Sequence, residues 1–209
     1  MMNIKVTDPS EIEKRSFEII SRKLGKTGLP ECDELVLKRV IHTTADFDYV
    51  NTLKFANNAV SSAIRELKEG CGIITDTKMA LAGISKKMLK RMGCSLNCYI
   101  SDSDVAEEAK RRNITRAAVS MEKALGSKQN KIFVVGNAPT ALIKLCELVQ
   151  SGELSPALVV GVPVGFVNVI ESKELLKTMN VPYIVAEGNK GGSNVAAAIM
   201  NAIIYQKQG

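Results

Sequence analysis

Tryptophan is absent from the 209 residues, and aromatic residues make up only 4% of the chain. Rings are too few to fill a core, so Leu, Ile, Val, Ala and Met must supply the packing within a hydrophobic content of 45%. The same scarcity argues against a nucleic-acid surface, where aromatics are interleaved with basic runs. The net charge is +6, yet the basic residues are scattered, as in Lys14-Arg15, Lys86-Lys87 and Arg111-Arg112. That excess favours anionic partners without specifying a polymer.

Long apolar runs are missing too. The longest, residues 157–167, is too short to span a bilayer, and residues 1–16 lack the apolar stretch of a secretory signal. Five cysteines form an odd set at irregular spacing, and no histidine accompanies Cys94 and Cys98. No metal site is expected, and reduced thiols in a cytoplasmic protein are the simplest account. Neither GxGxxG nor GxxxxGK[ST] occurs, so no loop carries a nucleotide fingerprint.

Histidine occurs once, in Arg39-Val40-Ile41-His42-Thr43-Thr44-Ala45-Asp46-Phe47-Asp48. Any imidazole chemistry therefore falls to His42. Asp46 and Asp48 stand close enough in sequence to orient its ring or hold its charge, and Arg39 to meet an anion. The plainer alternative is a lone histidine at a helix end beside Thr43 and Thr44.

Along the chain, Asp8-Pro9-Ser10-Glu11 reads as a helix start, and Ile12, Phe17, Ile19, Ile20 and Leu24 form the apolar stripe of a helix ending before Gly25. A second helix is expected over residues 52–69. Short apolar runs follow at 71–75, 96–100, 132–135, 157–160 and 183–186. Helix-like stretches at 85–92, 104–125, 139–149 and 172–179 separate them, and a last one at 193–206 closes the chain. This alternation predicts one domain, residues 1–209: a mainly helical extension over 1–70, then an α/β core over 71–209. The core is a five-stranded parallel sheet with helices on both faces.

Ligands of such sheets bind beyond the carboxyl ends of the strands. The unusual loops fall there: Thr75-Asp76-Thr77-Lys78-Met79, Gly136-Asn137-Ala138-Pro139-Thr140, Gly161-Val162-Pro163-Val164-Gly165-Phe166 and Gly188-Asn189-Lys190-Gly191-Gly192-Ser193. Residues 137–140 read as a helix start whose free N–H groups suit a carboxylate or phosphate, and Gly191-Gly192-Ser193 as another. Ordinary strand-to-helix turns would look the same at any single loop. Glu171-Ser172-Lys173-Glu174 reads as a helix cap with a surface ion pair, and Thr115-Arg116 as helix interior.

Taken in order, these segments resemble the precorrin-8X methylmutase family, including its cobalt-precorrin-8 counterpart, of cobalamin biosynthesis. The resemblance rests on the His42 segment, Ile74-Thr75-Asp76-Thr77-Lys78-Met79, Ile114-Thr115-Arg116-Ala117-Ala118, the segment Gly136 to Leu142, the segment Pro156 to Phe166, Glu171-Ser172-Lys173 and Gly191-Gly192-Ser193. Together they span nearly the whole chain. The resemblance implies a flavodoxin-like three-layer α/β/α fold and a homodimer with a tetrapyrrole bound near the subunit interface. It implies an isomerase that moves a methyl group from C-11 to C-12 of the corrin precursor and needs no external cofactor, with His42 as proton donor to a ring nitrogen. Arg39, Thr43, Thr44, Thr77, Arg116, Asn137, Thr140, Lys173 and Ser193 are the expected anchors for the substrate's carboxylates. A basic chain with several N–H cradles fits such a substrate, and a sigmatropic shift asks for positioning and one general acid. The competing readings are a phosphate-handling enzyme of similar fold, which the missing fingerprints disfavour, and a non-catalytic tetrapyrrole carrier, which would not need His42.

Overall fold

A computed structural model of the chain describes residues 8–206. Helices α1 (Pro9–Leu24), α2 (Glu31–Thr44) and α3 (Tyr49–Thr52) lead into strand β1 (Leu53–Ala56) and helix α4 (Ala59–Glu69). The core then alternates: β2 (Gly72–Thr75), α5 (Lys78–Gly83), α6 (Lys86–Arg91), β3 (Ser95–Asn97), α7 (Ser103–Arg112), α8 (Arg116–Lys123) with a 3-10 turn over Ala124–Gly126, β4 (Asn130–Val135), α9 (Pro139–Gln150), β5 (Leu158–Gly161), α10 (Val169–Lys177), β6 (Tyr183–Ala186) and α11 (Ser193–Gln206).

The sheet has six strands, not five, in the order β1-β6-β5-β4-β2-β3. The five expected strands pair in parallel, and β1 joins the edge antiparallel to β6 with Leu53 opposite Ala186 and Ala56 opposite Tyr183. The helix expected over 52–69 is therefore interrupted. Asn57 and Asn58 take left-handed backbone, φ 54° and 55°, which a short amide side chain tolerates and which turns the chain out of β1 before α4 begins. Asn57 Nδ2 fixes the turn by donating to the Val181 carbonyl at 2.9 Å. The helix expected over 104–125 is likewise split at Asn113, φ 52°, and restarts with the Thr115 hydroxyl accepting from Ala118 N at 3.2 Å. Arg116 thus opens a helix and does not lie inside one.

β2, β5 and the stretch Ile132–Val135 of β4 are buried throughout, which is why their sequences run apolar instead of alternating. One face of the sheet packs against α2, α4 and α11, the other against α8, α9 and α10. α11 is almost wholly buried, and its alanines at 196, 197, 198 and 202 let it lie close to its neighbours. Because β2, β4, β5 and β6 run in parallel, their carboxyl ends bring the four loops singled out in the sequence to one edge.

Candidate active site

Strand order reverses between β2 and β4, and the loops leaving these strands meet at that point. The meeting is sealed from within. Asp76, 1% exposed, directs its carboxylate at the backbone N–H groups of Gly136 (2.9 Å), Asn137 (2.8 Å) and Ala138 (2.8 Å). Burial raises the Asp76 pKa against the pull of these three donors. Of the N–H cradle expected to be free at residues 137–140, the groups of Asn137 and Ala138 are thus taken by the protein's own carboxylate, and Asp76 is the residue that sequence reasoning missed. Asn137 itself is exposed. The Thr140 hydroxyl bonds that of Thr115 at 2.8 Å, next to the exposed Arg116, so these residues gather at one corner.

The amino end of α11 sits directly over β4. A Cβ on Gly136 would lie 2.7 Å from Ser193 Cα, so only glycine admits the helix there. Ser193 Oγ bonds Thr77 Oγ1 at 2.8 Å, and Thr77 also accepts from Ala80 N at 3.1 Å as the cap of α5. Gly191 (φ 153°) and Gly192 (φ 128°) bring the loop against β5: Gly192 N donates to Val162 O at 2.9 Å, and a Cβ on Gly191 would stand 2.2 Å from that oxygen. Asn189 and Gly165 tie the neighbouring loops reciprocally, Asn189 Nδ2 to Gly165 O at 2.6 Å and Gly165 N to Asn189 O at 3.2 Å.

Lys173 is fully buried. Its ammonium donates to the carbonyls of Gly188 (2.7 Å) and Lys190 (2.8 Å), and burial lowers its pKa to about 8. The expected anchor is therefore a prop beneath the β6–α11 loop, not a side chain reaching for a ligand. The surface ion pair expected around 171–174 does not involve it.

His42 lies in the last turn of α2, half-buried, with its ring stacked on Phe17 of α1 at a centroid separation of 5.2 Å and an interplanar angle of 14°. Arg39 covers the same phenyl ring at 4.7 Å and pairs with Glu13 at 2.7 Å, so it is engaged within the chain. Thr43 and Thr44 bond back to the carbonyls of Arg39 (2.9 Å) and Val40 (2.8 Å). Neither carboxylate downstream serves the imidazole: Asp46 and Asp48 both grip Lys190, at 2.7 and 2.9 Å. Lys190 holds Asp46 below the usual carboxylate range. These contacts fasten the end of α2 to the β6–α11 loop. Arg39 and Thr43 also line a cavity of about 340 Å³ with Asn194, Ala198 and Asn201 of α11.

The structure thus brings His42 to the contact between α1 and α2, Arg39 and Thr43 to a cavity against α11, Thr77 and Ser193 to the switch point, and Arg116 and Thr140 to a third corner near Asn137. Around them stand exposed apolar side chains: Met79 at 71%, Phe166 at 92% and Val167 at 78% exposure.

The precorrin-8X methylmutase family model matches residues 11–206. A cobalt-precorrin-8 methylmutase of Salmonella typhimurium is 45% identical over 206 residues, covering 96% of each chain. A precorrin-8X methylmutase of Pseudomonas aeruginosa is 35% identical, covering 97% of this chain and 98% of its own. Among solved structures, precorrin-8X methylmutase from Thermus thermophilus superimposes with a TM-score of 0.88 at 36% identity, covering 95% of this chain and 96% of that one. With the match running from α1 to the end of α11, the chain belongs to the precorrin-8X methylmutase family, isomerases of cobalamin biosynthesis.

Proposed function

We propose that the protein takes precorrin-8X or cobalt-precorrin-8 and moves the methyl group from C-11 to C-12, giving hydrogenobyrinate or cobyrinate, in the cytoplasm and without an external cofactor. His42 donates a proton to the ring nitrogen next to the migrating centre, drawing electron density from the carbon skeleton as the methyl moves. The observation that carries this is the setting of the single histidine: half-buried, held in plane by Phe17, and fastened through Asp46, Asp48 and Lys190 to the loop that opens α11. Arg116, Asn137, Thr140, Thr77, Thr43, Thr44 and Ser193 face the substrate's carboxylates. Arg39 joins them beside His42, and Lys173 contributes from beneath.

The core is flavodoxin-like: counted among themselves, the five parallel strands run second, first, third, fourth, fifth. The working unit is a homodimer. The apolar side chains Ile12, Ile19, Phe166 and Val167 are exposed in one chain, as expected of surface that a second copy covers.

The test is direct. Purified protein is incubated with precorrin-8X, and separately with cobalt-precorrin-8, and the absorption spectrum is followed. Conversion to the corrin chromophore is expected with at least one of them. Binding of both without any spectral change would leave a carrier and sink the enzymatic assignment.

A further inference from the structure

We propose that Lys173 is a positioning residue for the methyl shift: its buried ammonium orients two peptide groups of the β6–α11 loop so that their N–H donors, on Asn189 and Gly191, meet a carboxylate of the substrate. The inference rests on the tetrapyrrole reading above and names what holds one of the substrate's acid groups.

The argument begins with peptide planarity. No peptide bond in the described chain is cis, so each carbonyl and the N–H of the next residue point in opposite directions. Lys173 draws the carbonyls of Gly188 and Lys190 inward, at 2.7 and 2.8 Å. The N–H groups of Asn189 and Gly191 therefore point away from the ammonium. Among the described residues neither has an acceptor in the protein. Gly191 holds this arrangement only because it lacks a Cβ, with Val162 O where that atom would be. Two outward donors, on residues 189 and 191, followed by the first turn of the 14-residue α11, suit a carboxylate.

The charge of Lys173 adds to the geometry. Among the described residues no carboxylate bonds it, and desolvation is the cause of its lowered pKa. The charged groups of the neighbouring elements are engaged elsewhere: Glu174 and Glu187 with Lys177, Asp46 and Asp48 with Lys190, and Glu147 of α9 with Lys144. Glu171 lies exposed on α10. The thiol of Cys146 on α9 is pushed up to about 12, and burial raises the Tyr49 hydroxyl of α3, so both stay neutral through mild alkali. Lys173 is therefore an uncompensated buried cation beneath two outward N–H groups. It attracts an anion on the far side through low-dielectric surroundings. When it loses its proton near pH 8, the amine still donates to both carbonyls but the attraction is gone.

The experiment is titration of wild-type protein and Lys173→Met with hydrogenobyrinate and with its fully methyl-esterified form, between about pH 7 and about pH 9.5. Wild-type affinity for the acid is expected to fall about tenfold across that range, while affinity for the ester stays level. Lys173→Met should bind the acid about tenfold more weakly at neutral pH, with no pH dependence, and should raise KM more than it lowers kcat. A level wild-type profile for the acid overturns the proposal, as does a variant with wild-type affinity. If Lys173→Met does not fold, the contrast between acid and ester in wild-type protein decides alone. A wild-type protein that converts precorrin-8X with a level profile refutes only the role of Lys173. One that neither converts nor binds the tetrapyrrole refutes the functional reading as well.

Discussion

The imidazole of His42 lies nearly parallel to the phenyl ring of Phe17, 5.2 Å away, so an aromatic face and not a carboxylate sets the plane of the only histidine. Two substitutions separate orientation from chemistry. His42→Ala should lower the single-turnover rate by about two to four orders of magnitude, the usual worth of a positioned acid, with little change in product affinity. Phe17→Leu keeps the apolar contact but frees the ring, and should cost about tenfold in the same rate. A His42→Ala protein that isomerises at close to the wild-type rate would leave substrate positioning as the whole of catalysis.

Asp76 makes a stability prediction. Asp76→Ala leaves the N–H groups of Gly136, Asn137 and Ala138 without their acceptor and opens a void at the switch point. The expected loss is about 2–3 kcal/mol, read as a lower urea midpoint at unchanged slope. Asp76→Asn, which keeps one acceptor oxygen, should lose less. Equal midpoints for wild type and Asp76→Ala would mean that water satisfies the donors equally well.

Lys173 makes a prediction with a definite sign. Its pKa falls from the ordinary 10.5 to about 8 on folding, so between these values the unfolded chain holds a proton that the folded chain has released. Stability must then rise with pH across that window. At 1.36 kcal/mol per pKa unit the gain is on the order of 2–3 kcal/mol. Other groups also titrate in alkali, so the quantity to measure is the wild-type change between pH 8 and 10 minus that of Lys173→Met, by urea unfolding. A difference of zero or of opposite sign would mean that Lys173 keeps an ordinary pKa.

Two glycines with positive φ should respond differently to alanine. At Gly191 the new Cβ would meet Val162 O at 2.2 Å, whereas at Gly152, φ 77°, it meets nothing within 4 Å. Gly191→Ala should destabilise by about 2 kcal/mol or more and weaken product binding, because the loop must move. Gly152→Ala should cost about 1 kcal/mol or less and leave binding alone. Thermal melting with product titration distinguishes the two.

Much of the core was legible in the sequence because buried parallel strands and amphipathic helices impose different periods on the same apolar residues. The runs at 132–135 and 183–186 are strands at or within one or two residues of those bounds. β1 was not legible: Leu53-Lys54-Phe55-Ala56 fits the helical stripe that continues into α4, and only its partner β6, some 130 residues away, makes it a strand. The Asn57-Asn58 pair was the local signal that a turn intervened. At the site, His42 stood out by being unique. Asp76 and Lys173 did not, since a strand-end aspartate and a helix lysine are commonplace. Their roles depend on main-chain groups of other segments, sixty residues away for Asp76, and no side-chain pattern announces these.

The carboxylate of Asp76 occupies the position where a protein of this topology would be expected to hold a free anion. Because that carboxylate is tethered to the chain, it has no dissociation equilibrium with the surroundings. Phosphate or sulfate at ordinary concentrations cannot displace it, and the shape of the switch point is independent of which anions are in solution. Shortening the tether should turn this fixed group into an exchangeable one. In an Asp76→Gly protein, added formate or acetate is expected to restore part of the lost stability in proportion to its concentration, while wild-type protein ignores both.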